Sequence, residues 1–308
     1  MSKFINPFTD YGFKLIFGRE VSKNLLIEFL NDLLEGERVI TDLTFLNNEQ
    51  LPDYPEGRGI IYDVYCTTDT GEKIIVEMQN RMQSNFKERS IFYLSRAIVN
   101  QGRTGHDWKF EIKAVYGVFL MNFIMDKNIK LRTDVILADK ETGELFSEKF
   151  RQIFIALPLF KKSEEECETN FERWIYILNN METLKRMPFK ARKAVFEKLE
   201  DIADVASMSP EDRERYDNSV KVYRDYLVTM DAAEKEGIKK GMEEGLKEGM
   251  KEGLKKGLEE GLKKGLKKGR EEALNIFQTA IDMKKQGIDN QLIAEKTGLP
   301  LSLIESLK

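Results

Sequence analysis

Residues 60–66 read Ile60-Ile61-Tyr62-Asp63-Val64-Tyr65-Cys66, and residues 73–79 read Lys73-Ile74-Ile75-Val76-Glu77-Met78-Gln79. Both runs are rich in β-branched and aromatic residues, which is typical of β-strands. The link between them contains Asp69-Thr70-Gly71, which suits a three-residue turn with glycine at the position that requires a positive φ. These features predict a β-hairpin.

The turn also sets the register of the predicted hairpin. If Thr68 pairs with Glu72, counting back along both strands places Asp63 opposite Glu77. Because side chains alternate between the two faces of a strand, Gln79 then shares the face of Glu77. A two-residue turn would shift the register by one and place the acids among apolar residues, so the three-residue turn is favoured. The opposite face then carries Ile60, Tyr62, Val64, Cys66, Ile74, Val76 and Met78.

The facing carboxylates of Asp63 and Glu77 suggest a chemical role. Directly opposed residues in a sheet have Cβ atoms about 5 Å apart, and like charges there are destabilising unless a cation or a proton lies between them. Two carboxylates and the amide oxygen of Gln79 are ligand types that suit Mg²⁺ or Mn²⁺. The alternative, that both acids are solvated residues on an exposed strand face, stays open at this point.

The same residues resemble a known catalytic core. Asp63, a hairpin and then Glu77-Met78-Gln79 resemble the Asp...(Asp/Glu)-x-Lys pattern of the PD-(D/E)XK nuclease superfamily, with Gln79 at the usual lysine position. The opening segment from Thr9 to Phe17 and the later segment with Arg89, Tyr93 and Arg96 narrow the resemblance. Over about residues 4–230 the chain is similar to the Rpn family of recombination-promoting nucleases, also called PD-(D/E)XK family transposases, in which Gln follows the Glu.

This resemblance implies a restriction-endonuclease-like α/β fold, a mixed sheet flanked by helices. It implies a divalent-metal-dependent DNA endonuclease that promotes recombination or transposition-like events, with Mg²⁺ or Mn²⁺ as cofactor and DNA as partner. Asp63 and Glu77 would hold the metal, and Gln79, which has no titratable amine, would orient water rather than act as a general base. A non-catalytic DNA-associated or oligomeric scaffold is the alternative.

Five further residues are candidate neighbours of this site. Arg89, Tyr93 and Arg96 are spaced by four and three residues, so a helix over 86–99 would bring them to one face. Cationic groups there could hold a phosphodiester, although a surface arginine stripe explains the pattern equally well. The family pattern adds Asp10 and Lys14, while an Asp at a helix start is also an ordinary cap or dipole partner.

Composition limits the classes of function. The chain has 308 residues, a net charge of −4 and only two cysteines, Cys66 and Cys167, which gives little support to a disulfide framework or a zinc site. His106 is the only histidine, so Ser/His/Asp, Cys/His and multi-histidine designs are excluded. No apolar run reaches the length of a membrane span and the start lacks a secretory signal pattern, so a cytoplasmic protein without membrane contact is expected.

Alternating strand and helix patterns predict the α/β core. The predicted strands are 41–47, 60–66, 73–79, 114–121, 130–138 and 150–157. The predicted helices are 21–34, 86–99, 171–178, 189–205 and one that begins at Ser209-Pro210 and runs to about residue 233. A loop with Pro52, Pro55, Gly57 and Gly59 is expected to border the cleft.

A repeat with a period of four residues follows the core. Nine glycines recur from Gly237 to Gly269, each followed by Ile, Met or Leu up to Leu266. Each glycine costs a helix about 1 kcal/mol relative to alanine, so an isolated helix would be marginal and a partner would help. The segment is therefore predicted to be a helical linker or an arm that forms a homo-oligomer, with a drift of the apolar stripe that favours right-handed winding. A disordered spacer is the alternative.

The last 36 residues resemble a small helix-turn-helix, in which Ala294 and Gly298 take the packing and turn positions. The candidate recognition helix has almost no basic or amide side chains, so a small packing module is favoured over a DNA reader. The predicted domains are the nuclease core 1–165, its helical extension 166–233, the glycine repeat 234–272 and this module, 273–308.

Overall fold

The computed structural model describes residues 2–51, 59–103 and 108–307. The predicted loop residues Pro52, Pro55 and Gly57 and the single histidine His106 lie outside these ranges. The strands are β1 (Leu43–Phe45), β2 (Glu49–Gln50), β3 (Ile60–Ile61), β4 (Val64–Thr68), β5 (Lys73–Gln79), β6 (Val115–Met121), β7 (Arg132–Ala138) and β8 (Leu145–Ala156). The helices are α1 (Asp10–Phe17), α2 (Lys23–Leu33), α3 (Phe86–Val99), α4 (Asn170–Asn180), α5 (Val195–Ala203), α6 (Pro210–Lys285), α7 (Asn290–Thr297) and α8 (Leu301–Ser306).

Six strands form one mixed sheet in the order β1-β4-β5-β6-β8-β7. Strands β5, β6 and β8 are parallel, and the remaining pairs are antiparallel. Helix α3 connects β5 to β6, which makes a βαβ unit, and the short strands β2 and β3 pair separately. The predicted α/β fold with a mixed sheet is confirmed. In the described part of the chain, no helix has the length and apolarity needed to cross a membrane.

The hairpin has the predicted turn and register. Val64 pairs with Val76, the Thr68 N–H donates to the Glu72 carbonyl at 2.9 Å, and Gly71 has a φ of 93°. The predicted division of faces is wrong at the start of the hairpin, because the strand is interrupted at residues 62–63. Ile60 and Tyr62 therefore pack on the opposite face from Val64 and Cys66.

Both faces of the sheet are covered by helices. One face packs against α1, α2, α4 and α5, around the fully buried Trp174. The other face packs against α3 through Phe86, Leu94 and Ala97. Gly117 in β6 permits this close packing, since a Cβ there would lie 2.5 Å from Leu94 Cδ1. The face that carries Glu77 is thus an interior surface, and the exposed-strand alternative does not hold for this residue.

The helices differ from the prediction at the N-terminus, at α5 and at the end of α6, which runs to Lys285 instead of about residue 233. The predicted first helix, 21–34, is the second, since α1 precedes it with Thr9 as its N-cap, whose side chain accepts from the Gly12 N–H. Helix α3 has the predicted bounds, while α5 is shorter than the predicted 189–205. Its predicted start fails at Phe189, where the backbone has a φ of 63°, outside the helical region.

The chain divides into two compact units, Met1–Leu227 and Val228–Lys308. Helix α6 begins in the first unit, at the predicted N1 proline Pro210, and continues through the whole glycine repeat in the second. The second unit also contains a small core of Ala280, Ile293 and Ile304, which is formed where α6 ends and α7 and α8 pack. The predicted domain boundaries stay a prediction.

Candidate active site

The interruption between β3 and β4 builds the candidate site. The Tyr62 N–H turns away from the hairpin and donates to the Asn48 carbonyl at 3.0 Å. In a regular antiparallel ladder the Met78 N–H would donate to the main chain of the facing strand. Here it donates instead to Asp63 Oδ2 at 2.8 Å. The Asp63 N–H donates to Glu77 Oε1 at 3.1 Å. Each carboxylate is thereby held by a main-chain N–H of the opposing segment.

The two carboxylates lie in an environment that disfavours their charge. Glu77 is only 1% exposed, and no ion pair reaches it or Asp63 within the described ranges. Burial raises the pKa of Asp63, although the Met78 N–H and the charges of Lys14 and Arg89 oppose the change. Burial and then the nearby charge of Asp63 raise the pKa of Glu77. A proton or a cation shared by the pair would relieve this repulsion.

Gln79 completes the row on β5. Its Nε2 donates to Glu77 Oε2 at 3.0 Å, so both oxygens of Glu77 accept a hydrogen bond. The Gln79 side chain is almost fully buried, 9% exposed. The amide therefore fixes the orientation of the Glu77 carboxylate, and it brings no titratable group to the site.

Helix α3 brings two of its three predicted neighbours towards the carboxylates. Arg89 Nε donates to Tyr93 Oη at 2.9 Å, and its Nη1 donates to Gln83 Oε1 at 3.1 Å. The positive charge of Arg89 partly opposes the rise in the pKa of both Asp63 and Glu77. Burial raises the pKa of Tyr93, so its hydroxyl stays protonated near neutral pH.

The other predicted neighbours are placed differently. Arg96 donates to the main-chain carbonyl of Leu51 at 2.7 Å, on the side of the helix towards β2. Asp10 and Lys14 form an ion pair with each other at 2.7 Å, and the Asp10 side chain is 68% exposed. Their charges reach Asp63 with opposite signs, so α1 contributes to the electrostatics of the site.

Sequence reasoning missed a row of hydroxyl groups on α6. Tyr216, Ser219, Tyr223 and Tyr226 are spaced by three, four and three residues and therefore share one helix face. Tyr216 Oη accepts from the Asn6 N–H at 2.8 Å, and Ser219 Oγ accepts from the Tyr11 N–H at 3.2 Å. The spacing could have indicated a polar face, but not the main-chain groups that it binds.

Two hydroxyl groups of this row bond to the residues that directly follow the parallel strands β5 and β6. Tyr226 Oη donates to the main-chain carbonyl of Asn80, the residue after Gln79, at 3.2 Å. Asn122, which follows β6, donates through Nδ2 to Tyr223 Oη at 3.4 Å. Tyr226 of α6 thus fixes the main chain at Asn80, where it leaves the candidate site.

A divalent cation such as Mg²⁺ requires oxygen donors, and the site supplies those of Asp63 and Glu77. In residues 2–51, 59–103 and 108–307, no group of three or more His, Cys, Asp or Glu side chains could hold a metal ion. Mg²⁺, however, keeps several waters and is usually held by one or two carboxylates together with substrate phosphates. The carboxylates of Asp63 and Glu77 supply the donor types for such a hydrated ion and do not form a closed protein cage.

A family model described as PD-(D/E)XK nuclease family transposase matches residues 7–233. The chain belongs to this family. Searches of the curated proteins and of the solved structures give no match. Membership of the PD-(D/E)XK nuclease family transposases confirms the resemblance drawn from the hairpin and supports a nuclease or transposase-like function. The glycine repeat begins where the matched region ends, and the roles of individual residues stay predictions.

Proposed function

We propose that the chain is a divalent-metal-dependent DNA endonuclease in which Asp63 and Glu77 hold the metal. The observation that carries this proposal is a pair of carboxylates, Glu77 buried and Asp63 half-buried, with raised pKa values and no ion pair in the described residues. Buried charges are normally paired or bound to a metal, because an unpaired one is costly. Perturbed carboxylates of this kind are typical of functional sites.

The residues around the proposed metal site would have separate roles. A bound divalent cation supplies Lewis acidity towards a phosphodiester and lowers the pKa of water. The Met78 N–H holds Asp63, and the Asp63 N–H together with Gln79 holds Glu77, so the ligands are oriented before DNA arrives. A guanidinium has five N–H donors, so Arg89 keeps donors for a phosphate oxygen while it holds Tyr93 and Gln83.

Promotion of recombination or transposition-like events belongs to the same proposal. A nick or break made by such a site gives the free DNA ends from which rearrangement starts. The family description supports this role, since it joins a nuclease to transposases. Mg²⁺ is the expected cofactor, with Mn²⁺ as an ion of the same ligand preference.

The test is conversion of supercoiled plasmid to the open-circular form by the full chain. Cleavage is expected with Mg²⁺ or Mn²⁺ and is expected to stop with excess chelator. A Glu77→Gln variant, purified in the same way, is the control for contaminating nucleases. A wild-type protein that neither cleaves DNA nor gains thermal stability from either ion would contradict the nuclease and favour the non-catalytic scaffold.

We also propose that the glycine-repeat segment of α6, residues 237–269, associates with another copy of the chain. Ile238, Met242, Leu246, Met250, Leu254, Leu258, Leu262 and Leu266 are 57–76% exposed. Eight large apolar side chains exposed in one row are uncommon on a monomeric surface and typical of an interaction face.

Replacement of one glycine distinguishes an interface from a free helix. Apart from the neighbouring residues and the backbone of the helix itself, no described atom lies within 4 Å of a Cβ on Gly253 or Gly257, so alanine fits the single chain without a clash. In an isolated helix each Gly→Ala change adds about 1 kcal/mol of stability. If the glycines permit close approach of a second helix, Gly253→Ala should instead lower the dimer fraction measured by light scattering. A full chain that is monomeric at tens of micromolar would contradict self-association.

A further inference from the structure

The arm, residues 237–269 of α6, presents two parallel rows of residues along its length. Glycine occupies one row and Ile, Met or Leu the next, both repeating at every fourth residue. Adjacent residues lie about 100° apart around a helix, so the apolar row forms a ridge beside a glycine groove. The row is exposed and the glycine positions are open in the single chain.

This surface is complementary to a copy of itself. Rows of residues at i±4n from two helices interdigitate at an angle of about −50°, so the apolar ridge of each arm fits the glycine groove of the other. A surface that matches itself is the requirement for a two-fold symmetric interface. Four residues turn a helix by about 400°, so each row shifts by about 40° around the helix axis at every repeat. The two arms must therefore wind around each other in the right-handed sense to stay in contact.

The charges of the arm are unevenly distributed between its two halves. From Gly237 to Glu252 there are four lysines and four glutamates, which gives a net charge of zero. From Gly253 to Gly269 there are six lysines and two glutamates, which gives a net charge of +4. The first half of the arm is therefore neutral, and the second half is strongly basic.

This charge asymmetry favours one orientation of a second arm over the other. Packed helices lie about 8–10 Å apart, which is close to the screening length of about 8 Å at physiological salt. In a parallel, in-register pair, the +4 half of one arm would face the +4 half of the other. In an antiparallel pair, each +4 half faces a neutral half, so the repulsion between the basic halves is removed.

We propose that two copies of this chain pair through antiparallel arms, related by a two-fold axis near the middle of the repeat. This inference rests on the proposed self-association of the arm and adds its orientation. The apolar ridge selects another helix as the partner of this face. A nucleic acid drawn only to the basic half would use the charges and leave the ridge exposed.

Disulfide trapping between full-length chains tests the orientation. Lys240, Lys256 and Lys268 each precede one glycine of the row, about 100° around the helix from it, and follow another by three residues, about 60° from that one. They therefore flank the glycine groove on the side opposite the apolar ridge. Lys256→Cys lies near the middle of the arm and is expected to cross-link to itself in either orientation, so it reports association alone. The native Cys66 and Cys167 are buried, and the unsubstituted chain gives the background.

The antiparallel arrangement predicts a specific pattern of products. Lys240→Cys chains mixed with tagged Lys268→Cys chains should form the mixed disulfide several times faster than either forms its own. Rapid self-cross-linking of Lys240→Cys and of Lys268→Cys, without excess mixed product, would overturn the antiparallel orientation while leaving self-association intact. No cross-link at Lys256→Cys and a monomeric mass by light scattering would overturn both.

Discussion

Two pairs of acidic side chains, both beside the central sheet, have opposite surroundings. Glu37 and Asp134 lie with Arg132 and Arg151, where Arg132 contacts Glu37 at 3.0 Å and Asp134 at 2.9 Å, and Arg151 contacts Asp134 at 2.6 Å. Hydrogen bonds from Arg151 lower the pKa of Glu37. Burial raises the pKa of Asp134, but hydrogen bonds from the two arginines outweigh it and the pKa is lowered.

Asp63 and Glu77 lie at the inner strands of the sheet, whereas Asp134 lies on the edge strand β7, and they lack such partners. Only main-chain N–H groups and Gln79 donate to their carboxylates in the described residues, and the pKa values of both are raised. The comparison shows that acidity alone does not mark a functional site. A pair whose charge is already balanced is structural, while a pair that still requires a positive charge is a candidate for binding one.

Substitution of each pair should give the largest contrast. Asp63→Ala or Glu77→Ala should reduce plasmid nicking by more than about a hundredfold, because removing one preorganised electrostatic group already costs on the order of 10²–10³ in rate. Asp134→Ala should leave nicking within about threefold and lower stability by about 1 kcal/mol, as partly exposed ion pairs do. Rates of conversion to the open circle and thermal melts of the same preparations measure both effects.

If Asp134→Ala abolishes nicking as strongly as Glu77→Ala, the comparison between the two pairs fails. If Asp63→Ala and Glu77→Ala melt far below the wild type even in chelator, these acids are structural and the proposed metal site is wrong.

The sequence predicts the hairpin well because its determinants are local. The glycine turn, the alternation of apolar residues and the spacing to Glu77 lie within twenty residues, and Gly71 adopts the required positive φ. The interruption at Tyr62 and Asp63 could not be predicted in the same way. It depends on the Asn48 carbonyl, which a separate segment brings to the Tyr62 N–H.

Long-range contacts set the remaining limit. Tyr226 reaches the carbonyl of Asn80 across 146 residues of sequence, and neither residue type predicts the other. The glycine repeat is the converse case. Its period of four is evident in the sequence, but the sequence does not decide between a helix and a disordered spacer, because nine glycines weaken the helix that the repeating pattern favours. In the structure the repeat is part of the continuous helix α6.

Each of the two acidic pairs should contribute to the folding stability in a pH-dependent way, and the two contributions should change with pH in opposite directions. A carboxyl group whose pKa is raised in the folded state adds stability below its ordinary pKa, near 4, and this stability is lost as pH rises through the raised value. In chelator, the contribution of Asp63 and Glu77 should therefore decrease towards neutral pH. Glu37 and Asp134, whose pKa values are lowered, should instead contribute stability that is lost only as pH falls below about 4.

Melting curves between about pH 5 and about pH 8, with and without Mg²⁺, measure this difference. Glu77→Gln should flatten the decline seen in chelator, whereas Asp134→Asn should not. Mg²⁺ at about 100 times its dissociation constant should add about 2.7 kcal/mol to the wild type, more at higher pH because it binds deprotonated carboxylates. An increment from Mg²⁺ that survives in Glu77→Gln would place the cation elsewhere.

The smallest effect is expected at Gln79, for which the sheet offers a matched residue. Gln152 in β8 is similarly buried and donates to Ser90 Oγ at 2.9 Å, as Gln79 donates to Glu77. Gln79→Ala removes a group that orients a ligand but leaves both carboxylates, so nicking should decrease about tenfold, which corresponds to about 1.4 kcal/mol. Gln152→Ala should cost comparable stability, since each change removes a buried hydrogen bond, but should leave the nicking rate unchanged. The ratio of the two nicking rates, measured at saturating Mg²⁺ well below both melting temperatures, separates orientation of Glu77 from packing of the sheet. Equal rates would show that Gln79 contributes only to the fold, and a loss as large as that of Glu77→Ala would make it part of the metal site itself.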